Sequence, residues 1–294
     1  MLTKVYSIHC LTPLHVGAGR GVGFIDLPIA REKSTNWPLV PGSAVKGVLA
    51  DKHGADDKGR EADPKLAAAF GRAGDDSGNS GSLVFADARI VCLPVRSFYG
   101  TWAWATCPSV LRRLARDLTD AGLPEPPEVP NFREDDAALL ASGTAAVATK
   151  EGNDLKVFLE DIDLKGRADT NAAAWAELLA PWATGWEASV FAERFVVLSD
   201  NTFNFFSETG TDVAARVCID DQQKSGALWY EESLPAEAIL SGIVWCDGVY
   251  GKAKDKPTAG ELMESYASGC ARLQMGGKAT TGKGLVNVVF AEGK

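Results

Sequence analysis

The 294-residue chain is long enough for one large domain or two small ones, and its 46% hydrophobic content excludes global disorder. A formal net charge of −9 excludes a globally basic nucleic-acid binder but leaves room for a local basic patch. No apolar run approaches the roughly 18 residues of a membrane helix, so no membrane partner is expected.

The N-terminal segment alternates polar and apolar residues, which predicts a first strand over Val5 to Leu11 and does not suit a signal peptide. A glycine-rich loop follows from Thr12 to residue 23, and Phe24-Ile25 leads to Asp26. Pro38 and Pro41-Gly42 punctuate the chain before a helix that Ser43 is placed to cap, with Val45, Val48 and Leu49 on one face and Lys46 on another. Residues 54–81 carry six glycines and five aspartates, and predict a mobile insertion with one helical turn near Lys65 to Phe70. Ser82 to Leu93 reads as a strand. A helix capped by Ser109 should run to Leu118, turning Leu111, Leu114 and Leu118 inward.

Residues 121–155 look like a proline-rich, variable insertion, and Asn171 to Trp182 like a helix. Ser189 to Ser199 is expected as a strand. Thr211 to Ile219 and Gly226 to Glu231 read as paired extended segments, and Ala238 to Trp245 as another strand. Gly260 to Ser268 reads as a helix and Leu285 to Phe290 as a closing strand. Strands and helices interleave without regular βαβ spacing, which points to α+β rather than a doubly wound sheet. The six cysteines contain no C-x-x-C pair, which argues against zinc or a disulfide framework and for free, buried thiols in a reducing cytoplasm.

The loudest local signal is Gly276-Gly277-Lys278-Ala279-Thr280-Thr281-Gly282-Lys283-Gly284, with four glycines, two lysines and no acid. Backbone amides in such a loop can line a phosphate. It falls short of a nucleotide-binding P-loop, because Gly284 stands where Ser or Thr should follow the lysine and a strand follows instead of a helix. A plain hairpin turn is the other reading.

Taken together, T-P-L-H-V-G-A-G (Thr12 to Gly19), I-D-L-P-I-A-R-E (Ile25 to Glu32), W-P-L-V-P-G-S-A-V-K-G (Trp37 to Gly47), I-D-D-Q-Q-K-S-G-A-L-W-Y-E-E-S-L-P (Ile219 to Pro235) and the C-terminal glycine loop resemble the RAMP superfamily of CRISPR proteins. Within it, they resemble the backbone subunit of the type III-B, or Cmr, complex. The resemblance implies one domain over residues 1–294: an RRM-like, ferredoxin-type palm with a β-hairpin thumb at about 199–226 and insertions at about 54–81 and 121–180. It implies several copies stacked along a guide CRISPR RNA beside other subunits of the effector complex. The complementary target RNA would be cut at regular intervals with a divalent metal, Mg²⁺ or Mn²⁺.

By the same resemblance, Asp26 is the essential, metal-binding aspartate, and His15 and Glu231 are its catalytic companions. Arg20, Ser43, Lys46, Gly276, Gly277, Lys278, Gly282, Lys283 and Gly284 would contact RNA, with Arg31 adding to the basic patch that the net charge hides. Phe203, Phe205 and Phe206 would either stack on bases or pack the thumb on a neighbouring copy. Without the family blocks, Asp26 reads as a turn or capping residue, His15 as a ring paired with loop backbone and Lys46 as a solvated surface lysine. A scaffold that binds guide RNA without cutting, and an RRM-like module of some other assembly, remain as alternatives.

Overall fold

The computed structural model describes residues 1–294 except 20, 22–23, 73–77, 133, 144, 220–224, 251–255 and 292–294. In chain order, β1 (Leu2–Cys10) and β2 (Leu39–Val40) flank the loop that carries Asp26. They are followed by α1 (Gly42–Lys52), α2 (Asp57–Ala62), α3 (Pro64–Phe70), β3 (Val84–Phe85), β4 (Ala88–Arg96), β5 (Trp102–Thr106) and α4 (Pro108–Asp120). The middle of the chain contributes β6 (Ala137–Leu140), β7 (Ala148–Glu151), β8 (Asp154–Leu159), β9 (Ile162–Ala168), α5 (Thr170–Leu179), α6 (Ala188–Arg194), β10 (Phe195–Leu198) and α7 (Asp200–Thr209). The rest is β11 (Asp212–Ile219), β12 (Ser225–Ser233), β13 (Ile239–Cys246), α8 (Ala259–Tyr266), β14 (Cys270–Gln274) and β15 (Leu285–Phe290).

The palm is the run β15-β1-β13-β4 at one side of a 13-stranded sheet, with every neighbouring pair antiparallel. Helix α1 connects β1 to β4 and helix α8 connects β13 to β15, which gives the βαββαβ connectivity of a ferredoxin-like fold. Strand alternation sorts β1 into two faces. One carries Tyr6, whose hydroxyl donates to Ala86 O and whose ring packs against Phe85 and Phe290. The other carries Ser7 and His9, which is buried and joined to Thr184 at 3.0 Å and Glu237 at 2.8 Å.

Beyond β4 the sheet continues through β5, β10, β6, β9, β8 and β7. Residues 121–180, expected as an insertion, thus hold the sheet strands β6 to β9 and helix α5, which buries Ala172, Trp175, Ala176 and Leu179. Residues 54–81 likewise hold two short helices rather than one turn, and Leu66, Ala68, Ala69 and Phe70 of α3 are buried. The expected strand over 189–199 is helix α6 followed by the fully buried four-residue β10. Neither serine caps its helix: α1 starts from Pro41, with Asp87 accepting from the Gly42 amide, and α4 starts from Cys107. Ser109 instead donates its hydroxyl to Asp200.

A separate two-stranded hairpin, β11–β12, is exposed at Val217 and Cys218 on one strand and from Gly226 to Leu228 on the other. It begins later and ends later than the expected 199–226, because residues 200–209 form α7. The rings of Phe203 and Phe206 in that helix are fully buried, with Phe203 edge-on to Trp37, so neither is available to stack on bases, and only Phe205 is exposed. All six cysteines are unpaired; Cys10, Cys92, Cys107 and Cys246 are buried, but Cys218 and Cys270 are exposed, against the expectation of buried thiols. Among the described residues, no helix is long and apolar enough to cross a membrane.

Candidate active site

Three segments remote in sequence meet at the base of the hairpin. The Leu14–Arg31 loop pairs with itself where Ala30 donates to Val16 O at 2.9 Å and Ala18 to Pro28 O at 3.1 Å. It pairs with β12 where Leu27 donates to Tyr230 O at 3.1 Å and Glu232 to Leu27 O at 3.0 Å. The C-terminal glycine loop joins β14 to β15 and closes on the same segment, Gly277 donating to His15 O and Gly284 to Pro13 O, each at 2.9 Å.

The close approach dictates the glycines. Gly276 (φ +74°) and Gly284 (φ +85°) are left-handed, and a β-carbon would lie 2.3 Å from His15 O at the first and 2.1 Å from Met275 O at the second. Gly282 is also left-handed, at φ +82°. The loop thus makes the hairpin turn between the antiparallel strands β14 and β15. Its Lys278, Ala279 and Thr280 amides nevertheless take no partner among the described residues.

Asp26 is exposed, and its Oδ2 accepts the Tyr230 amide at 2.8 Å while Oδ1 takes no partner among the described residues. It lines an open cleft of about 440 Å³ with Gly21, Leu27, Trp229 and Lys278. His15 is buried behind this loop, its Nδ1 2.6 Å from Glu232 O. A carbonyl only accepts, so Nδ1 carries a proton and donates it to Glu232 O.

Glu231 and Glu232 are neighbours on β12 and point to opposite sides. Glu232 faces the Asp26 loop: Oε1 takes Arg31 at 2.6 Å and Thr211 at 2.9 Å, and Oε2 takes the Ile29 amide at 3.0 Å. Arg31 also donates to the carbonyls of Asn36 and Ser207. It is a strut of the site, not part of a free basic patch.

Glu231 faces the glycine loop. Its Oε1 takes Lys278 Nζ and Trp229 Nε1, each at 2.7 Å, and its Oε2 lies 3.5 Å from Arg216 and 3.8 Å from Lys283. Burial pushes this carboxyl up, but the hydrogen bonds from Lys278 and Trp229 and the charges of Lys278 and Lys283 outweigh it and hold it down to about 2. Such a carboxylate carries no proton near neutrality.

The structure therefore brings Asp26, His15, Glu231, Gly276, Gly277, Lys278, Lys283 and Gly284 into one site. Lys283 is buried there, with Nζ on Ser233 Oγ at 2.7 Å. Ser43 and Lys46 sit on α1 instead. Ser43 is exposed, while Lys46 is half-buried and donates to Leu83 O at 2.9 Å, its ammonium pulled down by burial and by Arg60. Arg20 lies outside the described residues. Glu232, Trp229 and Tyr230 were not singled out from the sequence; the Glu-Glu pair on a strand was the available signal, because alternation sends adjacent acids to two different jobs.

The pattern of the RAMP superfamily matches residues 7–287. The chain belongs to the RAMP superfamily. A Pyrococcus furiosus protein named CRISPR system Cmr endoribonuclease Cmr4 is 31% identical over 304 residues, covering 99% of this chain and 97% of that one. The crystal structure of oligomeric Cmr4 from Pyrococcus furiosus superposes with a TM-score of 0.74 at 25% identity, over 100% of both chains. A chain of the type III-B Cmr-beta complex bound to cognate target RNA superposes at 0.68 and 17% identity, covering 99% of this RAMP chain and 97% of its own, a likeness of fold.

Among the described residues, no group of three or more His, Cys, Asp or Glu side chains is arranged to hold a metal ion. Asp26 by itself does fit one common arrangement. Mg²⁺ is usually held through one or two carboxylates, with substrate phosphates and waters completing its shell, and Asp26 offers a free, exposed Oδ1 beside an open cleft.

Proposed function

We propose that this chain is the repeating backbone subunit of a type III-B CRISPR effector complex, which binds guide RNA and cuts the complementary target RNA at Asp26. The observation that carries the reading is the fixed, exposed Asp26 carboxylate on the cleft at the foot of the β11–β12 hairpin. The 31% identity, over nearly the full length, to a protein named an endoribonuclease supports it. Copies of the chain line up along the guide with other subunits of the complex, and each hairpin acts as the thumb that interrupts the duplex beside its own Asp26.

Cleavage uses the target's own 2′-hydroxyl. The 2′-oxygen loses its proton and attacks the adjacent phosphorus in line, and the 5′-oxygen leaves and is protonated. The Tyr230 amide holds the Asp26 carboxylate in one orientation, so that Oδ1 meets the RNA. Asp26 would hold Mg²⁺ or Mn²⁺ together with RNA phosphate oxygens, and the ion would neutralise phosphate charge. His15 donates from Nδ1 to Glu232 O, which leaves Nε2 as the ring atom for proton exchange with the RNA. The amides of Lys278 to Thr280, without partners among the described residues, and the charge of Lys283 suit the RNA backbone, with Gly276, Gly277, Gly282 and Gly284 allowing the approach. On α1, Ser43 is the residue open to a guide phosphate, and Lys46 must leave Leu83 to join it.

The test is cleavage of an end-labelled, guide-complementary RNA by the assembled complex with Mg²⁺, compared with Asp26→Ala and with chelator. Regularly spaced products that vanish in both, with target binding retained, are expected. Binding without cleavage by the wild type would make the chain a scaffold, and cleavage by Asp26→Ala at the wild-type rate would move the active site elsewhere.

A further inference from the structure

Among the described residues, Lys278 differs from Arg31 and Lys283, the other cations packed around the site. Arg31 is consumed by Glu232 and two carbonyls, and Lys283 is buried on Ser233. Among the described residues, Lys278 is the cation that lines the same cleft as Asp26. Its ammonium is not free to wander, because Glu231 fixes it at 2.7 Å. One of its three N–H groups serves that bond, which leaves two for a ligand in the cleft. Its backbone is left-handed at φ +66°, a cost that a residue other than glycine bears only where its surroundings impose it.

Glu231 holds three cations at once, Lys278, Lys283 and Arg216, and Asp212 also acts on Lys283. A pair built only for stability gains little from a partner that stays a third exposed. A cation held rigidly beside a cleft is, by contrast, what a reaction that builds negative charge requires.

We propose that Lys278 is a catalytic residue of RNA cleavage and that Glu231 is the positioning residue that aims it. The proposal rests on the nuclease reading above and extends it. The Lys278 ammonium touches a non-bridging oxygen of the scissile phosphate and stabilises the extra charge on the five-coordinate phosphorus. It keeps its own protons throughout: the O2′–P bond forms, the P–O5′ bond breaks, and the proton lost from the 2′-hydroxyl is balanced by the one gained at the 5′-oxygen. Glu231 neither ligates nor titrates in this step.

The test is single-turnover cleavage by the assembled complex at saturating target. Lys278→Gln, which retains a donor for Glu231, is expected to slow cleavage about 100-fold, the scale of removing one preorganised donor to transition-state charge. Target affinity should stay within about threefold, and Lys278→Arg should recover most of the rate. Glu231→Gln is expected to be slow alone but to add nothing to Lys278→Gln, which a general structural defect would not produce.

Sulfur at the contacted non-bridging oxygen should slow the wild type and make no further difference in Lys278→Gln. Wild-type rates in Lys278→Gln, or lost affinity with an unchanged rate at saturation, would overturn the proposal, as would fully additive effects of the two substitutions. Wild-type cutting that survives Asp26→Ala would instead defeat the parent reading, whatever Lys278 does.

Discussion

Replacing Glu232 by Ala tests whether the Asp26 loop is held in place by that carboxylate. The side chain is almost fully buried and closes three interactions, to Arg31, Thr211 and the Ile29 amide. Removing one member of a buried pair costs roughly 3–5 kcal/mol, because the other charge stays behind. Arg31 keeps the Asn36 and Ser207 carbonyls and is partly exposed, which places the cost at the low end, about 3 kcal/mol.

For 294 residues, an unfolding entropy near 2.1 cal/mol/K per residue gives roughly 0.6 kcal/mol/K, so Tm should fall by roughly 5 °C. Glu232→Gln keeps an acceptor and the volume and should lose roughly half as much. Calorimetry or urea unfolding reads both variants, and Glu232→Ala combined with Arg31→Ala should show coupling of about 1 kcal/mol or more. A loss below about 1 kcal/mol for Glu232→Ala, or equal losses for Ala and Gln, would refute the strut. Because the same carboxylate fixes Ile29, three residues from Asp26, cleavage should fall further than target binding.

Gly284→Ala should cost at least about 3 kcal/mol through backbone strain and collision with Met275 O, while Gly277→Ala, whose β-carbon would come no nearer than 3.6 Å to His15 Cδ2, should cost under about 1 kcal/mol; paired thermal melts separate them. The Glu231 carboxyl is lower folded than unfolded, so its stabilisation is complete above about pH 5 and is lost as pH falls toward 2. The Tm gap between wild type and Glu231→Gln should stay constant down to about pH 5 and narrow below it. Phe203→Ala should cost about 3–5 kcal/mol, and Phe205→Ala should leave stability nearly unchanged, since only the first ring is buried.

Elements with a strong local pattern were legible. Leu285 to Phe290 is a strand over the expected residues, and the two halves of the hairpin were found as paired segments. The strand expected over 189–199 failed at its first half. The run Phe195–Leu198 carries an unmistakable β signal, and it masked the helix formers Ala188, Ala192, Glu193 and Arg194 just before it. In the insertion at 121–180, β6 pairs in parallel with β9 across two intervening strands. Such pairing is non-local, and neither its strands nor their partners are announced by a turn between them.

The site was legible in its parts and opaque in its wiring. The family blocks identified Asp26, His15 and the glycine loop, but nothing in a strand–loop–helix reading says that Pro13 binds Gly284 or that Leu27 binds Tyr230. Those backbone bonds join positions more than 200 residues apart. The left-handed glycine at 276 answers to the approach of His15 O, while the one at 284 answers to Met275 O within the loop itself. The same backbone bonds separate two acids that the sequence sets side by side. Glu232 spends its charge locking the Asp26 loop, and Glu231 spends its charge on the cation opposite. Strand alternation turns one dipeptide into the two supports of a single cleft, so a change at either acid should reach Asp26 by a different route: one through the loop that carries it, the other through the ammonium that faces it.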